Sequence, residues 1–173
     1  LNNRDSFRIP LIGQHNACNA AAAIAVARRL GLTHAQIEQG LLQASSADMR
    51  MQQSTINQVT FINDAYNANP DSALAAIRTF VDVFASTSSS RRIMIFGDML
   101  ELGTNSPTLH SEVGEAIAKA NCFDLILLVG PLTLHAAKHF TAIPFEHFPD
   151  ASPANAQHIA TRLQPGDRVM LKA

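Results

Sequence analysis

Ile93-Met94-Ile95-Phe96-Gly97-Asp98-Met99-Leu100-Glu101-Leu102-Gly103 opens with four apolar residues and then turns polar and glycine-punctuated. A half-exposed strand alternates apolar and polar positions. An unbroken run of this kind reads instead as a strand buried on both faces, the habit of a parallel sheet covered by helices. The flanking segments agree. Upstream, Val59-Thr60-Phe61-Ile62 reads as a strand, and Asn69-Pro70 supplies a cap residue and a first-turn proline. Leu74, Ile77, Val81 and Phe84 then recur at helical spacing, and residues 86–90 form a serine-rich loop. Downstream, Ser106-Pro107 opens a helix to about Ala120, Leu125–Val129 is a third strand, and Leu132–His139 a short helix. Pro144–Phe148 is a weaker strand nearer an edge. Ser152-Pro153 opens a helix to about Leu163, and Gly166-Asp167 turns the chain into a last strand, Arg168–Lys172. Strand and helix in alternation predict an α/β fold, a mostly parallel sheet flanked by helices with right-handed crossovers.

The first third of the chain reads differently. Residues 1–14 look extended, and an alanine-rich helix runs from an N-cap at Asn16 to Leu30, ended by Gly31. Thr33 caps a second helix to about Gln43, with Ile37, Leu41 and Leu42 on one face. Ala44–Gln53 is a polar, irregular linker that carries Arg50. The expected division is therefore a helical segment plus linker over 1–54 and the α/β domain over 55–173. The 173 residues suffice for one sizeable core, or for one domain and part of another. A formal net charge of −1 gives no reason to expect nucleic acid or an anionic membrane as partner, and no apolar run approaches membrane-spanning length. Two distant cysteines, Cys18 and Cys122, form no CxxC pair, which fits a reduced, cytoplasmic setting. A monomer is expected, and both chain ends read as cuts in a longer protein.

Ligands of an open parallel sheet gather where its strands end. After the first strand comes Asn63-Asp64-Ala65-Tyr66-Asn67-Ala68-Asn69-Pro70-Asp71-Ser72, with two acids, three asparagines, a tyrosine and a serine. Turn and cap chemistry accounts for Asn69 and Pro70. It leaves Asp64, Tyr66 and Asn67 unexplained together, and these are candidate binding residues. After the second strand come Asp98 and Glu101, and the last strand delivers Lys172, one of only three lysines with Lys119 and Lys138. Weaker signals have plainer explanations. His110 and Glu112 read as a solvent-facing helix pair, and Arg91-Arg92 as surface charge. His135 and His139 stand at zinc-pair spacing without a third ligand, and no metal site is expected. Neither GxxxxGK[ST] nor GxGxxG occurs, so the chain brings no phosphate cradle of its own, and no nucleophile motif appears.

Three strings, in this order and spacing, resemble the Mur ligases, and among them the UDP-N-acetylmuramoyl-tripeptide:D-alanyl-D-alanine ligases. They are Gly13-Gln14-His15-Asn16 with a later Met49-Arg50, the asparagine-rich string from Asn63 to Ser72, and Gly97-Asp98-Met99-Leu100-Glu101-Leu102-Gly103 with His110 in the next helix. The resemblance spans essentially the whole chain. It implies a Rossmann-like C-terminal ligase domain preceded by the end of the central ATP-binding domain, from an enzyme of peptidoglycan synthesis. That enzyme uses ATP and Mg2+ to join UDP-N-acetylmuramoyl-tripeptide to D-alanyl-D-alanine through an acyl phosphate. The P-loop, the magnesium ligands and the carbamylated lysine of the family would lie upstream of Leu1, so this chain is expected to be inactive alone. The resemblance puts Asn16 and His15 at the adenine, Arg50 at the ribose or phosphates, and Asp64 and Asn67 at the nucleotide. Tyr66 and Asn69 would line the cleft. Asp98, Glu101 and Lys172 are assigned to the dipeptide side on a different ground, because their places at strand ends face them into the same crevice. The competing readings are a plain α/β binding module and a receiver-like module with Asp98 as phosphoacceptor and Lys172 as its partner.

Overall fold

The computed structural model describes residues 5–45, 47–84 and 90–173; the serine-rich loop, Ser90 apart, lies outside them. The chain forms two compact units, one up to Ala47 and one from Asp48 to Ala173. The first holds α1 (Gln14–Arg29) and α2 (His34–Leu42). Thr33 caps α2 in a reciprocal pair, its hydroxyl accepting from the Gln36 N–H while the Gln36 side chain accepts from the Thr33 N–H. Asn16 is not the cap of α1. The helix begins earlier, at Gln14, behind Gly13, whose φ of 100° suits glycine, and Asn16 Nδ2 donates to the Ile12 carbonyl at 2.8 Å. Of the stripe expected on α2, Ile37 is buried, while Leu42 is 53% exposed.

The second unit runs β1 (Gln52–Ile56), β2 (Val59–Asp64), α3 (Pro70–Phe84), β3 (Arg92–Gly97), α4 (Ser106–Ala120), β4 (Leu125–Val129), α5 (Leu134–Ala137), β5 (Phe145–Phe148), α6 (Pro153–Thr161) and β6 (Arg168–Lys172). The sheet order is β1-β2-β6-β3-β4-β5; β1 is antiparallel and every other pairing is parallel. The Rossmann-like α/β expectation therefore holds, and β5 lies at the edge as its composition suggested. The strand β1 was not legible. All five of its residues are exposed, so no burial period marks it, and it joins β2 through a tight turn at Asn57 and Gln58, with φ of 49° and 63°. Residues 48–54, read in the sequence as linker, belong to this unit because Gln52 and Gln53 pair with Asn63 and Ile62.

β6, last in sequence, lies between β2 and β3. The register aligns Ile62, Met170, Met94 and Ile126 across four strands, and all four are fully buried. The chain steps one way from β2 through β3 and β4 to β5, then returns to β6. Right-handed crossovers then put α3, α4 and α5 on one face and α6 on the other. The three helices pack side by side accordingly. On the opposite face Ile159 and Leu163 pack against a cluster of Val59, Val169, Ile93, Leu127 and Phe148. The buried stripe of α3 is Ala73, Ala76, Ile77, Phe80 and Phe84, so Leu74 and Val81, expected in it, sit at its margin. Arg91 is not idle surface charge: it holds the buried Asp167 carboxylate by two N–H donors at 2.9 and 3.1 Å.

Two measurements check this packing. A Cβ placed on Gly114 of α4 would stand 2.5 Å from the Ala136 Cα of α5 and 2.6 Å from its carbonyl oxygen. Alanine gains about 1 kcal/mol in helix propensity, but overpacking costs about 1–3 kcal/mol and backbone cannot rotate aside. With backbone as the obstacle the clash outweighs the gain, and Gly114→Ala should lower the urea unfolding free energy by up to about 2 kcal/mol. The second concerns the thiols. Burial pushes the Cys122 thiol up to about 11, with the Arg92 guanidinium pulling the other way, whereas Cys18 is exposed. Iodoacetamide at mildly alkaline pH should therefore modify Cys18 alone in the native chain and both after denaturation. The stability Cys122 contributes as a neutral thiol is intact through neutral pH and is lost as pH climbs from the ordinary thiol range toward about 11.

Candidate functional site

The carboxyl ends of β2, β6 and β3 lie side by side, with Asp64 opposite Lys172 and Lys172 opposite Phe96. Lys172 is 2% exposed, and a buried charge is tolerable only when paired. Its ammonium lies 2.8 Å from Asp64 Oδ2 and donates to the carbonyls of Asp64 at 3.1 Å and Asn67 at 2.6 Å. The other Asp64 oxygen accepts the Met51 N–H at 3.1 Å. One half-buried carboxylate thus joins the end of β2, the end of β6 and the segment ahead of β1.

That segment is wound tightly. Met49 and Met51 have φ of 56° and 50°, the left-handed region that side chains other than glycine seldom occupy, and they bracket Arg50. The Met49 carbonyl accepts the Tyr66 N–H at 3.1 Å, and the Arg50 guanidinium lies 4.1 Å from the centre of the Tyr66 ring, a cation–π contact. Tyr66 is 59% exposed, and Asn67 is exposed beside it. Asn69 behaves as its sequence suggested. Its side-chain oxygen accepts the Ser72 N–H at 2.8 Å, and its own N–H donates to Ser72 Oγ at 3.0 Å, so it caps α3 ahead of Pro70. Asn63 Oδ1 likewise accepts the Ala65 N–H.

The loop after β3 is anchored from two directions. Asp98 Oδ1 accepts the Thr133 N–H at 2.9 Å, and the Asp98 N–H donates to the Val129 carbonyl. Gly130, with φ of 100°, must lack a side chain because a Cβ there would come within 2.5 Å of the Asp98 carboxyl carbon. His110, expected at the surface, is fully buried. Its Nε2 lies 2.9 Å from the Met99 N and its Nδ1 2.8 Å from the Ser106 carbonyl oxygen. A backbone N–H can only donate, so Nε2 accepts and Nδ1 carries the proton; the ring is neutral and pins the buried Met99. Glu101 then projects from an exposed position with φ of 62°. The sequence offered one signal for this anchor, the resemblance that groups His110 with the Gly97–Gly103 string. Next to these loops lies a cavity of about 240 Å³ lined by Ala65, Ile95, Gly97, Ile159, Leu171 and Lys172, its walls almost wholly apolar.

The expected residues therefore separate. Arg50, Asp64, Tyr66, Asn67 and Lys172 come together. Asp98 and Glu101 follow β3, across β6 from β2, and Lys172 does not face them as expected, because its ammonium is spent on Asp64 and Asn67. The receiver reading, which pairs Lys172 with Asp98, fails on the same geometry. His15 and Asn16 are half-buried in the first unit. Among the described residues no group of three or more His, Cys, Asp or Glu could hold a metal ion, and His139 instead meets Ser111 Oγ at 2.9 Å. No helix of the described residues is long and apolar enough to cross a membrane.

The sequence profile described as Mur ligase, glutamate ligase domain, matches residues 49–173. The chain belongs to the Mur ligases. The match begins at Met49, so the wound Met49–Met51 turn and both strand-end loops lie inside the family's domain, and His15 and Asn16 lie outside it. The UDP-N-acetylmuramoyl-tripeptide–D-alanyl-D-alanine ligase of a Synechocystis strain is 34% identical over 97% of this chain, which spans 36% of that protein. The Bacillus subtilis ligase of the same name is 32% identical over 98% of the chain, which spans 37% of it. A crystal structure of MurF from Acinetobacter baumannii superposes with a TM-score of 0.77 at 32% identity, covering 96% of this chain and 35% of that one. The chain thus spans about a third of the length of these relatives.

The roles of Asn69 and Asn67 in this Mur ligase domain can be told apart by stability. Asn69→Ala should cost about 1 kcal/mol in urea unfolding through the lost cap. Asn67→Ala, whose exposed side chain supports no helix, should change it by less than about 0.5 kcal/mol.

Proposed function

We propose that this chain is the C-terminal part of a UDP-N-acetylmuramoyl-tripeptide:D-alanyl-D-alanine ligase, acting in the cytoplasm in peptidoglycan synthesis. The observation that carries the reading is the edge at which Arg50, Tyr66 and Asn67 stand together, exposed, on the scaffold of Asp64 and Lys172. The relatives' shared function and their coverage of nearly the whole chain support the choice of substrates. In this reading the first unit is the end of the ATP-binding domain and the second the ligase domain.

The reaction transfers the γ-phosphoryl group of ATP to the terminal carboxylate of the tripeptide, releasing ADP. The amine of D-alanyl-D-alanine then attacks the acyl carbon, loses a proton and expels inorganic phosphate as the amide forms. Positioning and charge compensation with water excluded are what such a sequence demands of a protein. Arg50, a fixed cation already exposed, compensates phosphate or holds ribose. Each Asp64 oxygen has one partner in the structure, and a carboxylate oxygen accepts about two hydrogen bonds, so Asp64 retains capacity for a nucleotide hydroxyl. Asn67 and Tyr66 line the cleft with Asn69 at its rim, and His15 and Asn16 are assigned to the adenine. Asp98 and Glu101, two carboxylates on an anchored loop, suit the ammonium end of the dipeptide. Among the described residues no group of three or more His, Cys, Asp or Glu could hold the magnesium ion.

The test is phosphate release from ATP by the full-length protein with UDP-N-acetylmuramoyl-tripeptide, with and without D-alanyl-D-alanine. Release that depends on the dipeptide is expected; a folded protein that releases none with any dipeptide or amino acid contradicts the reading. Within the active enzyme, Asp98→Asn and Glu101→Gln should each raise the dipeptide KM roughly tenfold or more, the worth of a hydrogen bond to a charged group, and the ATP KM far less. Equal rises in both would remove that assignment.

A further inference from the structure

Lys172 is a strand-end lysine beside a cleft, the kind of side chain that ordinarily reaches a ligand. Its surroundings are against that. An ammonium has three N–H donors, and here three acceptors meet them: Asp64 Oδ2, the Asp64 carbonyl and the Asn67 carbonyl, at 2.6–3.1 Å. None is left to aim outward, and the side chain is among the largest enclosed ones in the fold. The acceptors belong to the entry and the middle of the loop that presents Tyr66 and Asn67. Asp64 passes the restraint on, because its second oxygen takes the Met51 N–H while the Tyr66 N–H holds the Met49 carbonyl. Arg50 sits between those two points with its guanidinium on Tyr66.

We infer that Lys172 is a positioning residue: it touches no ligand and sets, through Asp64 and Asn67, where Tyr66, Asn67 and Arg50 stand. That these three meet ligands rests on the proposed function; that Lys172 places them does not. The distinction can be measured without any activity. Tyr66 is the chain's one tyrosine and tryptophan is absent, so the tyrosine near-ultraviolet circular dichroism band reports this loop alone.

In the 173-residue chain, K172M should keep native far-ultraviolet dichroism and cooperative unfolding, and lose more than half of the tyrosine band. Protease cleavage within residues 63–69 should rise roughly tenfold, as expected when a loop is freed from a restraint of hydrogen-bond strength. If K172M does not fold, D64N/K172M leaves no unpaired buried charge and gives the same readout. A tyrosine band and cleavage rate unchanged in whichever of these folds overturn the inference. In the full-length protein, K172M should raise the KM for ATP and lower kcat, and do so by a smaller factor in a D64N background, since part of the restraint runs through the Asp64 carboxylate and the rest through the two carbonyls. A rise confined to the dipeptide KM, with the tyrosine band intact, would make Lys172 a ligand contact and overturn it as well. Wild-type protein without ligase activity would sink the proposed function and leave the dichroism result to decide this one.

Discussion

The last strand must enter the middle of the sheet, and it carries a charge with it. β2 and β3 do not pair with each other; β6 separates them, so the register of both depends on Arg168–Lys172 arriving between them. Lys172 ends that strand as a buried ammonium, and only Asp64 and the carbonyls around it make its burial tolerable. Breaking such a pair by removing one partner typically costs about 3–5 kcal/mol, whereas replacing both by apolar groups is often neutral. The interaction therefore specifies an arrangement more than it adds stability. The arrangement it specifies is that of the loop after β2.

Around that tie the strand-end residues divide into those that build the edge and those that the edge presents. Asn63, Asn69 and His110 spend hydrogen bonds on backbone groups nearby, and Asp98 does so with one of its two carboxylate oxygens. Tyr66, Asn67 and Glu101 are left facing outward. The strain fits the same division. Left-handed backbone at Met49, Met51 and Glu101 costs about 1–3 kcal/mol per residue in general, and each of the three lies next to or at a residue presented to solvent. At Met51 the cost is offset by burial of its side chain and by the Asp64 hydrogen bond.

Where burial imposes a period, the sequence was readable. Ile93–Phe96, Leu125–Val129 and Arg168–Lys172 form the strands their apolar runs predict, and Thr33, Asn69 and Ser152 cap the helices they precede. Where nothing is buried it was not, as with β1, whose exposed Gln52–Ile56 has no pattern to read. The composition of the loop after β2 marked it as a candidate site, yet the partner of Lys172 was invisible because Asp64 lies 108 positions away and only the sheet order brings them together. His110 misled for a related reason. A histidine on a helix reads as surface until the backbone N–H that it receives is seen, and that N–H belongs to a loop shaped by left-handed residues at Glu101 and Gly103.

The most direct test of the account is hydrogen exchange by mass spectrometry on the full-length protein, free and with a non-hydrolysable ATP analogue together with D-alanyl-D-alanine. Ligands seated at the carboxyl edge should slow exchange in peptides covering residues 49–51, 63–69 and 98–103, and leave the amino ends of the same strands unchanged. Protection that spares these loops and appears elsewhere in residues 48–173, with both ligands shown to be bound, would contradict the assignment of this edge as the site.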